Sequence, residues 1–306
     1  MIKHIVIATR ESPLALQQAE SVKDLLLKYQ PQLSVALLGI TTQADKRLDI
    51  TLTEIGGKGL FVKELEEALL DKRADIAVHS MKDVPMELPP GLIVPVMLAR
   101  EDARDAFVSN HYAALAQLPL GARIGTSSLR RQTQLRAQRP DLLLQNLRGN
   151  IHTRLHRLDQ GDFDAIILAS AGLKRMQLTQ RIRDYLPIEY ILPAAGQGAL
   201  GVECRAEDKE IQALLTPLHD AITFNCVSAE RALCRRLGGG CKVPVAAFAQ
   251  QSGEMLHLQA LVANYDGTLL LQAKREGHIS TANKMGIDAA EDLLAQGAEN
   301  ILQAFL

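Results

Sequence analysis

The chain opens on a short apolar run, His4 to Ala8, of strand length. Ser12 then offers an N-cap and Pro13 fills the first helical position. Leu16, Ala19, Val22, Leu26 and Tyr29 follow at helical spacing, which predicts an amphipathic helix. Leu33 to Ile40 reads as the next strand, and Phe61 to Leu70 as a helix. Ile76-Ala77-Val78 reads as a buried strand that runs into His79-Ser80-Met81-Lys82-Asp83. This alternation predicts a mainly parallel sheet flanked by helices.

The same rhythm restarts near residue 100. Ala106 to Ser109, Arg123 to Gly125, Leu142 to Gln145 and Ala165 to Leu168 read as strands. Helices are expected after Thr126-Ser127-Ser128 through Gln138 and from about Asn150 to Leu158. The pattern changes again after residue 219. A helix over 220–236 gives way to Gly238-Gly239-Gly240-Cys241. Strands are expected at Val243 to Ala249, Leu256 to Ala263 and Leu269 to Ala273, the last two joined by an Asp266-Gly267 turn. One closing helix is expected over Ile287 to Leu302.

The fold expected is therefore α/β. Two doubly wound lobes, like those of periplasmic binding proteins, would face each other across a cleft, and a small α+β domain would follow. The expected boundaries are 1–99 with about 194–218, then 100–193, then 219–306. A length of 306 residues agrees with several domains rather than one core.

Composition removes several classes of function. Hydrophobic residues make up 47% and charged residues 23%, as in soluble globular chains. The net charge of −1 gives no global field toward nucleic acid or membrane. No apolar run reaches the length of a membrane span or of a secretory leader, so a cytoplasmic protein is expected. Cys204, Cys226, Cys234 and Cys241 lack CxxC spacing, which argues against a structural zinc site.

The local charge is less even. Between Gly121 and Arg157 stand eight arginines and a single acid, Asp141. Arg130-Arg131 lies just inside a helix start, after Thr126-Ser127-Ser128. Free amides, hydroxyls and guanidinium forks at that point suit carboxylates or phosphates. A solvated basic helix face accounts for the same spacing. A nucleic-acid surface is disfavoured, because the segment has no aromatic residue for stacking.

Three further features carry possible chemistry. Lys82-Asp83 sets a cation beside a carboxylate at a strand end, where Asp83 can exchange a proton or meet a developing cation. From spacing alone, a turn in which Asp83 caps local amides before Pro85 is the favoured reading. Cys241 follows three glycines and precedes Lys242, a setting that favours the thiolate, although a quiet loop thiol fits too. Gly56-Gly57-Lys58-Gly59 lacks the Lys-Ser/Thr ending of a nucleotide loop and reads as a lid or a plain loop.

Taken together, these stretches resemble the porphobilinogen deaminase family. The resemblance rests on Ala8-Thr9-Arg10-Glu11-Ser12-Pro13-Leu14-Ala15, Gly57-Lys58-Gly59-Leu60-Phe61-Val62-Lys63-Glu64 and His79-Ser80-Met81-Lys82-Asp83-Val84-Pro85. It continues through Gly125-Thr126-Ser127-Ser128-Leu129-Arg130-Arg131, Leu147-Arg148-Gly149-Asn150, Leu192-Pro193-Ala194-Ala195-Gly196-Gln197-Gly198 and Gly239-Gly240-Cys241. It implies a dipyrromethane cofactor joined by a thioether to Cys241. Four porphobilinogen molecules would be condensed head to tail on it with loss of ammonia, and water would release the linear hydroxymethylbilane. Cofactor carboxylates would be held by Lys82, Thr126, Ser127, Ser128, Arg130 and Arg131. Substrate and growing chain would meet Arg10, Ser12, Arg148, Arg154 and Arg175. Asp83 would be the catalytic carboxylate facing the pyrrole nitrogens, Lys58 would belong to a lid, and no metal is implied. The family also implies a monomer that engages neither nucleic acid nor membrane. The competing reading is a non-enzymatic hinged anion-binding protein, which needs neither Asp83 nor a modified Cys241.

Overall fold

The computed structural model describes residues 2–43, 59, 62–239 and 243–305. The expected lid with Lys58 and the anchor Cys241 lie outside these residues. The chain divides into two compact units. The first comprises Met1–Arg100 and Ala199–Phe224, the second Glu101–Gly198 and Asn225–Leu306.

In the first unit, β1 (His4–Arg10) leads through Ser12 into α1 (Pro13–Tyr29). The Ser12 hydroxyl accepts a bond from the Ala15 amide, and proline fills a position whose N–H would be orphaned in any case. Ala19, Val22 and Leu26 of the predicted stripe are buried, whereas Leu16 and Tyr29 at its ends are exposed. The buried three pack with Ile5, Ile7, Ile76, Val78, Val96 and Val202 in one core. The sheet adds β2 (Ser34–Ile40), β3 (Ile76–Ser80), β4 (Leu92–Met97) and β10 (Leu200–Arg205), in the order β2-β1-β3-β10-β4. α2 (Lys63–Leu70) packs against β1 and β3.

The sheet is mixed rather than mainly parallel. β1 runs parallel to β2 and β3, but β10 is antiparallel to both of its neighbours. The chain leaves this unit after Arg100 and returns at Ala199, so β10 is supplied by a distant segment rather than by a local crossover. Gly201 on β10 faces His79 in the register, and a Cβ there would collide with Met81 Sδ.

In the second unit the main sheet holds β5 (Asp105–Val108), β6 (Arg123–Gly125), β7 (Leu143–Gln145), β8 (Ala165–Ala169) and β9 (Asp184–Leu186), ordered β7-β6-β8-β5-β9. β6 is parallel to β7 and β8, while β5 is antiparallel to β8 and β9. α3 (Leu129–Gln138), α4 (Ile151–Asp159) and the short α5 (Ser170–Arg175) follow β6, β7 and β8 respectively.

α6 (Lys209–Leu215) belongs to the first unit, and α7 (Ala221–Arg236) spans the boundary. A three-stranded antiparallel sheet follows, β11 (Val245–Ser252), β12 (Met255–Ala263) and β13 (Leu270–His278). The predicted turn between β12 and β13 is present, with Gly267 at φ +75, a region that favours glycine. The single closing helix expected from sequence is two: α8 (Ala282–Ala295) and α9 (Ala298–Gln303), separated at Gly297.

Candidate active site

In the first unit the parallel strands β1 and β3 end at one edge of the sheet. β1 delivers Arg10 and Ser12 there, and β3 delivers Lys82 and Asp83 on a one-turn 3-10 helix, Met81–Asp83. Gln18 of α1 donates to the Ser80 hydroxyl at 3.0 Å and ties α1 to the end of β3. Lys82 and Asp83 are half-buried. The Asp83 carboxylate has no hydrogen-bond or ion-pair partner among the described residues, so it does not serve as a local cap. The Ser12 hydroxyl is spent as acceptor on the helix cap and keeps its proton to give.

Beneath that turn lies a buried ionic cluster. His79 Nε2 pairs with Glu203 Oε2 of β10 at 2.8 Å, and both side chains are almost wholly buried. The histidine is therefore a satisfied strand-end residue, not a candidate base. Glu66 of α2 is also buried and interacts electrostatically with both. Burial, and then the neighbouring Glu203 charge, push the Glu66 carboxyl up to about 7 against the opposing pull of His79.

In the second unit the parallel strands β6, β7 and β8 send their C-terminal loops to one edge, where α/β sheets bind ligands. The β6 loop carries Thr126, Ser127 and Ser128. The buried Thr126 hydroxyl accepts from the Ser128 amide, and Ser127 donates to the Leu147 carbonyl at 3.0 Å, joining the β6 and β7 loops. Ser128 occupies the N-cap of α3 without bonding through its side chain. Arg148 and Arg154 flank the start of α4, and Arg154 Nε donates to the Gly149 carbonyl at 2.8 Å. Arg175 closes α5 and donates to the Gly198 carbonyl at 2.6 Å. Burial pulls its guanidinium below the ordinary arginine value, with Glu101 opposing.

Arg130 and Arg131 are not on a solvated face. They are only 4% and 6% exposed. Arg130 Nη2 donates to Asp105 Oδ2 at 2.8 Å and Arg131 Nη2 to Asp105 Oδ1 at 2.7 Å. Their Nη1 groups bond the carbonyls of Leu192 and Ile167. Both Nε groups are buried without a partner among the described residues. Burial alone would push the Asp105 carboxyl up, but the two guanidiniums outweigh it and hold Asp105 well below the usual carboxylate range.

Sequence reasoning missed Asp105 and Gln197, which donates to the same carboxylate at 2.8 Å. One signal was available. Eight arginines against one acid over Gly121 to Arg157 require a counter-charge from elsewhere if any of them are buried. Asp105, directly before the apolar Ala106-Phe107-Val108, is such an acid.

Comparison with known proteins decides the family. The model described as porphobilinogen deaminase, dipyromethane cofactor binding domain, matches residues 5–213, and that of the porphobilinogen deaminase C-terminal domain matches 224–295. The chain belongs to the porphobilinogen deaminase family. Membership makes it a transferase of tetrapyrrole synthesis with a dipyrromethane-binding domain. Among solved structures it is similar to a putative methionine-binding lipoprotein from Bacillus subtilis, at 16% identity and TM-score 0.44, over 71% of this chain and 91% of that one. It is similar to the periplasmic aliphatic sulphonate binding protein from Escherichia coli at 16% identity and TM-score 0.42, over 77% and 70%. A periplasmic substrate-binding protein of an ABC transporter from Coxiella burnetii matches at 15% identity and TM-score 0.45, over 74% and 96%. No described helix is long and apolar enough to cross a membrane.

Proposed function

We propose that this chain is a hydroxymethylbilane synthase acting as a cytoplasmic monomer, with a dipyrromethane joined by a thioether to Cys241. The observation that carries the reading is the cationic strand-end edge of the second unit. Two buried guanidiniums that share a single carboxylate fit a ligand that brings several carboxylates, as a dipyrromethane does with four. When bound, that group supplies the pyrrole carbon on which the substrate is condensed.

The residues divide the work. Lys82, Thr126, Ser127, Ser128, Arg130 and Arg131 hold the cofactor carboxylates. Arg10, Ser12, Arg148, Arg154 and Arg175 hold those of porphobilinogen and of the growing chain. Lys58 acts in a lid. In each round the C–N bond of the substrate's aminomethyl group breaks and a C–C bond to the terminal pyrrole forms. The pyrrole proton lost balances the ammonia released. Asp83 has a carboxylate uncommitted to any described partner, so it can meet the pyrrole N–H groups and carry positive charge and a proton through each round. Release of the linear product would be hydrolytic, and Cys241 would keep the thioether through it. We keep 1–99 with about 194–218, 100–193 and 219–306 as the working domains.

Intact-mass measurement tests this reading. The purified protein exceeds its sequence mass by a two-pyrrole adduct that digestion maps to Cys241. Asp83→Asn keeps the adduct and loses about a hundredfold or more of its porphobilinogen turnover. An active protein with unmodified Cys241 overturns the function, and near-normal turnover by Asp83→Asn removes that residue from its role.

A further inference from the structure

The arrangement around Asp105 does more than neutralise charge. Its Oδ1 accepts from Arg131 Nη2 and from Gln197 Nε2, and its Oδ2 accepts from Arg130 Nη2. Asp105 is fully buried at the first position of β5, so its own carboxylate cannot move far. Each guanidinium is held at two nitrogens, Nη2 on Asp105 and Nη1 on a backbone carbonyl. A guanidinium is planar and rigid, so two fixed nitrogens fix the direction of the third. The third, Nε, is closed off and without a described partner on both arginines, so what each can offer a ligand is the second N–H of its outer nitrogens.

Gln197 extends the support. Its amide also donates to the Ala103 carbonyl at 2.6 Å, which fixes its head group. Its neighbour Gly198 supplies the carbonyl that Arg175 binds. The short segment between β9 and β10 thus touches the holders of three of the cationic side chains, a role for Gly196-Gln197-Gly198 that the chemistry so far leaves open.

The charge count points the same way. Two guanidiniums and one carboxylate leave one positive charge buried, and a buried charge without a partner is costly. Asp105 keeps two like charges side by side but does not satisfy both. We propose that Asp105 and Gln197 are positioning residues that hold Arg130 and Arg131 by their outer nitrogens and so present a fixed pair of guanidiniums to one carboxylate of the bound pyrrole chain. This rests on the function proposed above.

The test compares wild type, Asp105→Asn and Gln197→Met by intact mass, with thermal unfolding of each protein alongside. Gln197→Met leaves the charge count unchanged and removes the side-chain amide, so it decides the matter if Asp105→Asn does not fold. The expected result is an adduct-bearing fraction that falls on the order of tenfold in Gln197→Met while its unfolding midpoint stays near that of wild type. A merely structural role would move the midpoint and the adduct together. A folded Gln197→Met with wild-type adduct content and turnover overturns the positioning role, as does an adduct lost only in step with the fold. Absence of the adduct from wild type itself overturns the function instead, so the two failures are told apart.

Discussion

In the first unit two carboxylates, Glu66 and Glu203, lie within electrostatic reach of one imidazole, His79. In the second, two guanidiniums, Arg130 and Arg131, share one carboxylate, Asp105. Each cluster is buried and each has one charge in excess if every group is ionised. They relieve the excess differently. A carboxyl can take up a proton at modest cost, and Glu66, pushed up to about 7, does so near neutral pH. A guanidinium does not give up its proton in this range, so the second cluster keeps its surplus. The first cluster is self-balancing and supports a strand end. The second keeps two guanidiniums against one carboxylate.

The largest expected effect follows from removing the shared carboxylate. Asp105→Ala leaves two adjacent guanidiniums buried with no anion between them, and costs about 3–5 kcal/mol in unfolding free energy by urea titration. The Asp105 carboxyl is held below its ordinary range, so its contribution is present above that range and is lost only as the pH falls through the depressed value. The cost is therefore the same at pH 6 and pH 8. A loss below about 1 kcal/mol, the worth of an exposed pair, would mean that the arginines do not depend on Asp105.

That dependence also marks where the sequence stops being legible. β1, the Ser12 cap, Pro13 and the β12–β13 turn follow from local rules, because each is satisfied by residues within a few positions. The arginine-rich segment is legible only as a local run of positive charge. The partners are not. Asp105 meets Arg130 across 25 positions and Glu203 meets His79 across 124, and no periodicity records such distances. The antiparallel direction of β10 depends on a segment returning after about a hundred residues, which the local alternation of strand and helix does not encode. The break at Gly297 was hidden because the apolar face continues in Ala298, Ile301 and Leu302. For Lys58 and Cys241 the reading still rests on the family resemblance.

A middle-sized effect tests the other cluster. The folded value of Glu66 is raised from 4.5 to about 7. A raised carboxyl adds its full contribution below its unfolded value, and that contribution is lost as the pH rises through the folded one. Stability therefore falls between pH 4.5 and about 7 on account of this group. Glu66→Gln keeps the shape and removes the titration. Above pH 7 the variant is expected to be the more stable by on the order of 2 kcal/mol, with the difference vanishing toward pH 4.5. Equal unfolding curves for the two proteins at pH 8 would show that Glu66 does not carry the proton.

The smallest effect separates the causes acting on Glu66. Burial comes first and the Glu203 charge second. Glu203→Gln removes that charge but leaves an amide oxygen able to accept from His79. At pH 7 the weakened contact with His79 is offset by relief of repulsion at Glu66, so the net change in unfolding free energy stays within about 1 kcal/mol. The titration moves more than the stability does. Followed by carbon NMR of the side-chain carboxyl, the Glu66 midpoint drops part of the way from about 7 toward 4.5, because burial still acts on it. A midpoint that stays at about 7 would assign the whole shift to burial. The first cluster would then be a buried acid beside an independent ion pair, and the symmetry with Asp105 between its two arginines would fail on that side alone.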